Sequence, residues 1–247
     1  MKINWDSEVL SSVSKVVDQL EHLSINKDSI ESVADWLAYE EFPIPSSAAV
    51  RDDADDFIRA TMFMNTLNFA FTDFDKSIKY EINEDGKILS DSEAMYFQVN
   101  NAIDSGIKLT DGNEMASISL HQLKNIFVGN IEMPMLKERV EILNEVGQKL
   151  VDSYEGDWIN FINNGPKKLY SDGGGLIERL IEEFPRFDDS SQFKESNVKF
   201  YKLAQLAFWV IHAELSGSNY FKIEDMNSMT AFADYIIPVA LNLKNIT

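Results

Sequence analysis

From Val198 to Leu215 the chain is almost continuously apolar, with Phe200, Leu203, Leu206, Ala207, Phe208, Val210 and Ile211 covering most of a helix's circumference. A helix hydrophobic on nearly every side is buried, so the remainder of the chain has to pack around it. Its exceptions, Lys199, Lys202, Gln205, Trp209 and His212, step by three or four residues and fall on one stripe. Such a stripe is either the solvent side of the helix or the wall of a polar cavity. Lysines are rarely buried unpaired, which favours solvent. Trp209 favours a lined pocket, where a base stacks while a lysine meets a phosphate or a carboxylate.

Helical periodicity recurs along the chain. Val9, Leu10, Val13, Val16, Val17 and Leu20 mark one amphipathic helix, and Ile30, Val33, Ala34 and Leu37 a second, both expected to pack on the core. Further helices are expected over Ala94–Ile103, Leu120–Phe127, Met135–Val151 and Leu176–Phe184, the last with Ser171 and Asp172 as candidate caps. Thr66–Phe71 and Ile78–Ile82 alternate, and Glu84, Asp85 and Gly86 before Ile88 are turn residues, so a small antiparallel sheet is expected there. Pro43 and Pro45 make Phe42–Val50 an extended loop crossing the surface or a pocket mouth. The expected fold is mainly α with a small antiparallel β insert, in a single globular domain over residues 1–247.

Composition removes several functions. The formal charge of −19, from 22 basic and 41 acidic side chains, opposes binding of a nucleic-acid duplex, since the basic residues are not gathered on one face. Cysteine is absent, which excludes disulfides, thiolate metal sites and a cysteine nucleophile and fits a reducing, cytoplasmic setting. Charges interrupt the apolar spacing of Met1–Leu23, so it reads as neither a signal peptide nor a membrane span. His22, His121 and His212 lack metal-ligand spacing, and no metal or cofactor is expected. Gly173, Gly174 and Gly175 precede a helix but lack the strand and the Gly-Lys-Ser/Thr of a phosphate loop, so they read as a flexible loop.

The second concentration of interest is Met229–Val239, an apolar segment expected to be buried, in which Phe232, Tyr235, Ile236 and Ile237 surround a single acid, Asp234. Burial raises a carboxyl pKa and a nearby lysine lowers it, a combination typical of working carboxylates. Pro238 four residues on is expected to kink the backbone at Asp234 if the segment is helical. On residue chemistry alone, a carboxylate that caps or bridges neighbouring elements and a catalytic one are equally good readings.

Several segments in order resemble the queuosine salvage protein family. They are Thr66-Leu67-Asn68-Phe69-Ala70-Phe71, Asn101 to Ile107, Met133-Pro134, Glu138 to Gly147, Phe184-Pro185, Phe200 to Gln205, and Phe232-Ala233-Asp234-Tyr235. The resemblance implies a helical architecture like that of DNA glycosylases. It implies hydrolysis of the N-glycosidic bond of queuosine 5′-phosphate, a small nucleotide, to release queuine for reuse in tRNA modification. Asp234 would stand beside the anomeric carbon as the catalytic carboxylate. Phe232, Ala231, Tyr235, Lys202, Lys199 and Glu40 would bind substrate, with Phe232 on the base and Lys202 either at the phosphate or tuning Asp234.

This sequence departs from the family pattern in four places. Leu203 and Ile236 stand where the family has arginines, Glu40 stands where it has a histidine, and family members continue beyond the Asp-Tyr motif with a further acidic and tyrosine-containing segment. A non-catalytic relative that binds queuine or a nucleotide therefore stands as the alternative. A DNA glycosylase is disfavoured, because no basic surface is evident. A monomer is expected, with no membrane or duplex partner.

Overall fold

The computed structural model describes residues 7–41, 51–73, 75–218 and 220–247. The extended loop expected over Phe42–Val50 lies outside these residues. Among them eleven α-helices alternate with three two-stranded antiparallel hairpins: α1 (Glu8–Ser14), α2 (Lys27–Leu37), α3 (Ala54–Thr66), β1 (Thr72–Asp73), β2 (Ile78–Lys79), β3 (Glu81–Glu84), β4 (Lys87–Ser90), α4 (Asp91–Asp104), α5 (Gly112–Ser117), α6 (Leu120–Ile126), α7 (Leu136–Tyr154), α8 (Trp158–Asn163), α9 (Leu176–Glu183), β5 (Ser190–Phe193), β6 (Ser196–Lys199), α10 (Lys202–Leu215) and α11 (Ile236–Leu243).

Two helices form the centre. In α10, Leu203, Ala204, Gln205, Ala207, Phe208, Ile211 and Leu215 are buried, as expected from its apolar circumference. The helix α3 is buried even more completely, from Phe57 and Ile58 through Ala60 to Thr66, and packs directly on α10. Tyr220, just past α10, hydrogen-bonds Asp55 at the start of α3. At the other end Arg186 Nε donates to Thr66 O at 2.9 Å, and Asp189 O accepts from the Phe200 and Tyr201 amides that lead into α10. The pair therefore runs antiparallel, with the N-terminus of α10 beside the C-terminus of α3. A second packed unit joins α7 to α5, where Gly147 lies so close that a Cβ there would stand 2.3 Å from Ala116 N.

The structure redraws several sequence expectations. Thr66–Phe71 is the end of α3 followed by a loop, not a strand. The cause is Arg139 on α7, fully buried, whose guanidinium donates to the carbonyls of Leu67, Phe69, Ala70 and Pro134. Carbonyls converging on one cation cannot form a ladder with a neighbouring strand. The Phe69 and Phe71 rings close over the guanidinium at 4.3 and 5.2 Å. Burial, and then the charge of Arg186, lower the Arg139 pKa to about 10. The expected turn at Asp85-Gly86 is present, both residues at positive φ, and joins β3 to β4 with Glu84 opposite Lys87. The β5–β6 hairpin, which carries no strong alternation, went unanticipated.

The expected N-terminal helix stops at Ser14 and continues as a short 3-10 turn, Val17–Gln19. The expected second packing helix, α2, has no buried residue, and neither has α11. The cap of α9 is Gly175 rather than Ser171 or Asp172, because Glu178 Oε2 reaches back to the Gly175 and Ser171 amides at 2.8 and 2.6 Å. Among the described residues no helix is long and apolar enough to cross a membrane.

Arg139→Lys keeps the charge but cannot span the same carbonyls, so at least one acceptor is left unpaired in the core. The expected cost is about 2–4 kcal/mol, seen as a fall in thermal midpoint of about 5–15 °C by calorimetry. An unchanged midpoint would remove Arg139 from its place at the centre of this loop.

Candidate active site

The lysine that opens α10 meets the acid singled out near the C-terminus: Lys202 Nζ lies 2.8 Å from Asp234 Oδ2. Both side chains are roughly three-quarters buried, at 23 and 29% exposure. The other carboxylate oxygen, Oδ1, accepts the Ile236 amide at 3.0 Å. The Lys202 ammonium is the main reason that the Asp234 carboxyl sits below the ordinary aspartate range; burial opposes it, and the Ile236 amide adds to the lowering. Asp234 is thus a fixed anion at neutral pH.

The segment carrying Asp234 is less enclosed than its composition indicated. Tyr235 is 76% exposed, and Ile236, Ile237 and Val239 are also exposed. Pro238 causes no kink, because α11 begins only at Ile236 and places the proline in its first turn, where a missing N–H costs no helical bond. The Asp234 carbonyl accepts from Ile237 N instead.

Other sequence candidates fall at varied distances from this pair. Phe232 packs edge-on against Trp209, ring centroids 6.0 Å apart, so an aromatic wall adjoins the same face of α10. Ala231 is exposed beside it. Lys199 is not on the helix: it ends β6, its amide donating to Ser12 Oγ and its ammonium paired with Glu8. The expected five-residue stripe therefore breaks after its first member. Burial lowers the Lys199 pKa, but hydrogen bonds to Glu8 and Tyr201 outweigh it and leave the net shift upward. Lys199 and Tyr201 line a separate cavity of about 470 Å³ with Glu8, Glu178, Glu182 and Asp188. Glu40 is exposed just beyond α2. His212 accepts the Ile223 amide on Nδ1 at 3.0 Å, a structural tie. Among the described residues no three His, Asp or Glu side chains converge as a metal site.

Gln205 was passed over as a site residue, although it lies on the stripe. It is completely buried, its oxygen accepting from Thr230 N and Thr230 Oγ1 and its nitrogen donating to Phe200 O. A glutamine in the middle of an otherwise apolar helix was the available signal, since a buried amide needs partners supplied by another segment.

Fold and site together describe a mainly helical protein in which a lysine at a helix start pairs with an aspartate on a C-terminal segment beside two aromatic rings. A family model described as "Queuosine salvage protein" matches residues 48–246, and the chain belongs to that family. It is similar to queuosine 5′-phosphate N-glycosylase/hydrolases, 26% identical to that of Sphaerobacter thermophilus over 95% of this chain and 71% of the relative. It is 31% identical to that of Bos taurus over 72% of this chain and 51% of the relative, and 30% identical to that of Mus musculus over 76 and 55%. The chain thus spans about half the length of the two mammalian relatives.

Because Lys202 is the largest influence on Asp234, Lys202→Met should move the Asp234 titration upward, toward the ordinary aspartate range. The Cγ chemical shift followed by NMR against pH reads this directly. A titration that stays in place would assign the lowering to the Ile236 amide alone. The pair stabilises the fold above the unfolded carboxyl pKa, and that contribution is lost as pH falls through the lower folded value.

Proposed function

We propose that this chain hydrolyses the N-glycosidic bond of queuosine 5′-phosphate, releasing queuine and ribose 5-phosphate. The observation that carries the reading is the Lys202–Asp234 pair, a partly buried carboxylate held ionised beside the Phe232 and Trp209 rings. Family membership and the activity for which the relatives are named support the choice of substrate.

Bond cleavage leaves positive charge on the ribose between the anomeric carbon and the ring oxygen, and a fixed anion beside that carbon stabilises it. A carboxylate held below the ordinary range accepts a proton poorly, so Asp234 contributes more as a charge than as a base. It can still orient the attacking water by accepting a hydrogen bond. The water oxygen bonds to the anomeric carbon, the bond to the base nitrogen breaks, and the proton released by water ends on the base. A 7-deazaguanine lacks the ring nitrogen that purine hydrolases often protonate, so hydrogen bonds elsewhere on the base must assist its departure.

In this reading Phe232, with Ala231 and Tyr235, contacts the base, and Lys202 stands between Asp234 and the phosphate. Lys199 and Glu40 bind substrate only if a ligand draws them toward Asp234. One phosphate needs only one or two local donors, which reconciles an anionic substrate with a protein charge of −19. We further infer one domain of helical DNA-glycosylase-like architecture, acting as a cytoplasmic monomer on a small nucleotide.

Purified protein incubated with queuosine 5′-phosphate should release queuine, detected by mass spectrometry. Asp234→Asn should lower the rate at least about 100-fold while shifting the thermal midpoint little, because a partly exposed ion pair contributes only about 1 kcal/mol or less. Binding of queuine without release would instead favour the non-catalytic relative; an active Asp234→Asn protein would transfer the chemistry to another group.

A further inference from the structure

We propose that Gln205 is a positioning residue that clamps the Thr230–Asp234 segment onto α10 and thereby fixes Asp234 opposite Lys202. The inference rests on the glycosidase reading for its kinetic consequence, although its geometric part stands without it.

The segment from Thr230 to Asp234 has little to hold it in place. Its backbone hydrogen bonds among the described residues are local: Asp234 N to Phe232 O at 2.7 Å and Ile237 N to Asp234 O at 3.0 Å. No strand pairs with it, and α11, which follows, has no buried residue. Upstream the chain is tied down at Ile223 by His212 and at Asp225, whose carboxylate accepts the Leu169 and Tyr170 amides. Downstream, Asn26 N donates to Ile246 O at 2.9 Å and the Lys244 ammonium lies 4.3 Å from the Trp36 ring centroid; between these two sets of ties, side chains of α10 hold the stretch that carries Asp234.

Three of those side chains stand on one face at positions 202, 205 and 209. Lys202 holds Asp234, Gln205 holds Thr230, and Trp209 meets Phe232. Of the three α10 side chains only Gln205 is fully buried, and it is also multiply bonded. Its oxygen accepts Thr230 N at 2.9 Å and Thr230 Oγ1 at 3.0 Å, and its nitrogen donates to Phe200 O at 3.1 Å.

These contacts admit one amide orientation. Turning the group over would set its NH₂ against the Thr230 amide and its oxygen against the Phe200 carbonyl, leaving both ends of a buried side chain unsatisfied. One amide therefore references the lead-in to α10, and hence Lys202, to a point four residues before Asp234. An ion pair alone does not set such a geometry, because the four-carbon lysine stem is flexible. The buried amide supplies what the lysine lacks, a directional anchor.

The test separates positioning from stability. Gln205→Met alone leaves the Thr230 amide unpaired, which could destabilise the fold for reasons unrelated to Asp234. The double variant Gln205→Met/Thr230→Val removes the polar side-chain groups of the contact and leaves two backbone groups, the Thr230 N–H and the Phe200 carbonyl, without their Gln205 partner, whereas Thr230→Val alone removes the hydroxyl bond and leaves both amide bonds. In the double variant, compared at a temperature where calorimetry shows it fully folded, the Asp234 Cγ titration should move upward toward that of Lys202→Met. The kcat for queuosine 5′-phosphate should fall at least 10-fold with the acid limb of the rate profile moving up in parallel. Thr230→Val should lie between wild type and the double variant on both readouts.

A folded double variant with the wild-type Asp234 titration overturns the proposal, as does one whose titration moves while kcat and the acid limb remain at wild-type values. If wild-type protein releases no queuine, the glycosidase reading fails by itself, and the NMR titration still decides whether Gln205 places Asp234.

Discussion

A cation with no carboxylate partner among the described residues organises one side of this molecule. The Arg139 guanidinium is wholly buried and spends its donors on the carbonyls of Leu67, Phe69, Ala70 and Pro134, between two phenylalanine rings. Desolvating such a charge is costly, and several short-range carbonyl dipoles together with aromatic faces offset that cost without a counter-ion. The consequence reaches beyond the loop. Arg186 stacks on the other side of Phe69 at 4.5 Å and bonds Thr66 O, so the end of α3 and the turn after α9 are drawn to one place. From that turn Asp189 captures the amides of Phe200 and Tyr201 and so sets where α10 begins. The position of Lys202 is inherited from this chain of contacts.

The carboxylate itself is tuned by its partners rather than by depth. A deeply buried lone acid has its pKa raised and becomes a proton donor; Asp234, partly exposed and paired, goes the other way. In the proposed hydrolysis, that direction selects among the roles open to a carboxylate. It suits a stable negative charge beside an oxocarbenium ion better than a base that must take up a proton near neutrality. Exposure of Tyr235 and of the α11 side chains leaves one flank of the acid open, while α10 closes the other.

The apolar circumference of α10 and the helical spacings of α4, α6, α7 and α9 were legible because burial on a 3.6-residue period is a local property. The opposite failed where distant groups intervene. Thr66–Phe71 alternates like a strand, yet one arginine some seventy residues away claims its carbonyls. Lys199 fits the helical stripe by spacing, yet Ser12 Oγ and the β5–β6 pairing hold it in a strand. Asp234 was legible as a lone acid among apolar residues, and Lys202 as a lysine on a polar stripe. Their meeting was not, since no spacing rule links positions thirty-two apart. Apolar composition also misled at α2 and α11, where side chains that read as core are left at the surface.

A site built on an irregular segment needs its precision from somewhere else. Here a straight buried helix presents Lys202, Gln205 and Trp209 from one face, at spacings of three and four residues, to three positions of a segment that has no ladder or core of its own. The contacts differ in kind. The ion pair supplies charge, the aromatic pair supplies area, and the amide supplies direction. Any one of them leaves the carboxylate a rotation or a slide; the three together remove both, because they fix points before, within and at the end of the segment. The chemistry proposed at a sugar carbon demands that an anion be placed to within a fraction of an ångström, and a loop can meet that demand by borrowing the rigidity of the helix it lies against.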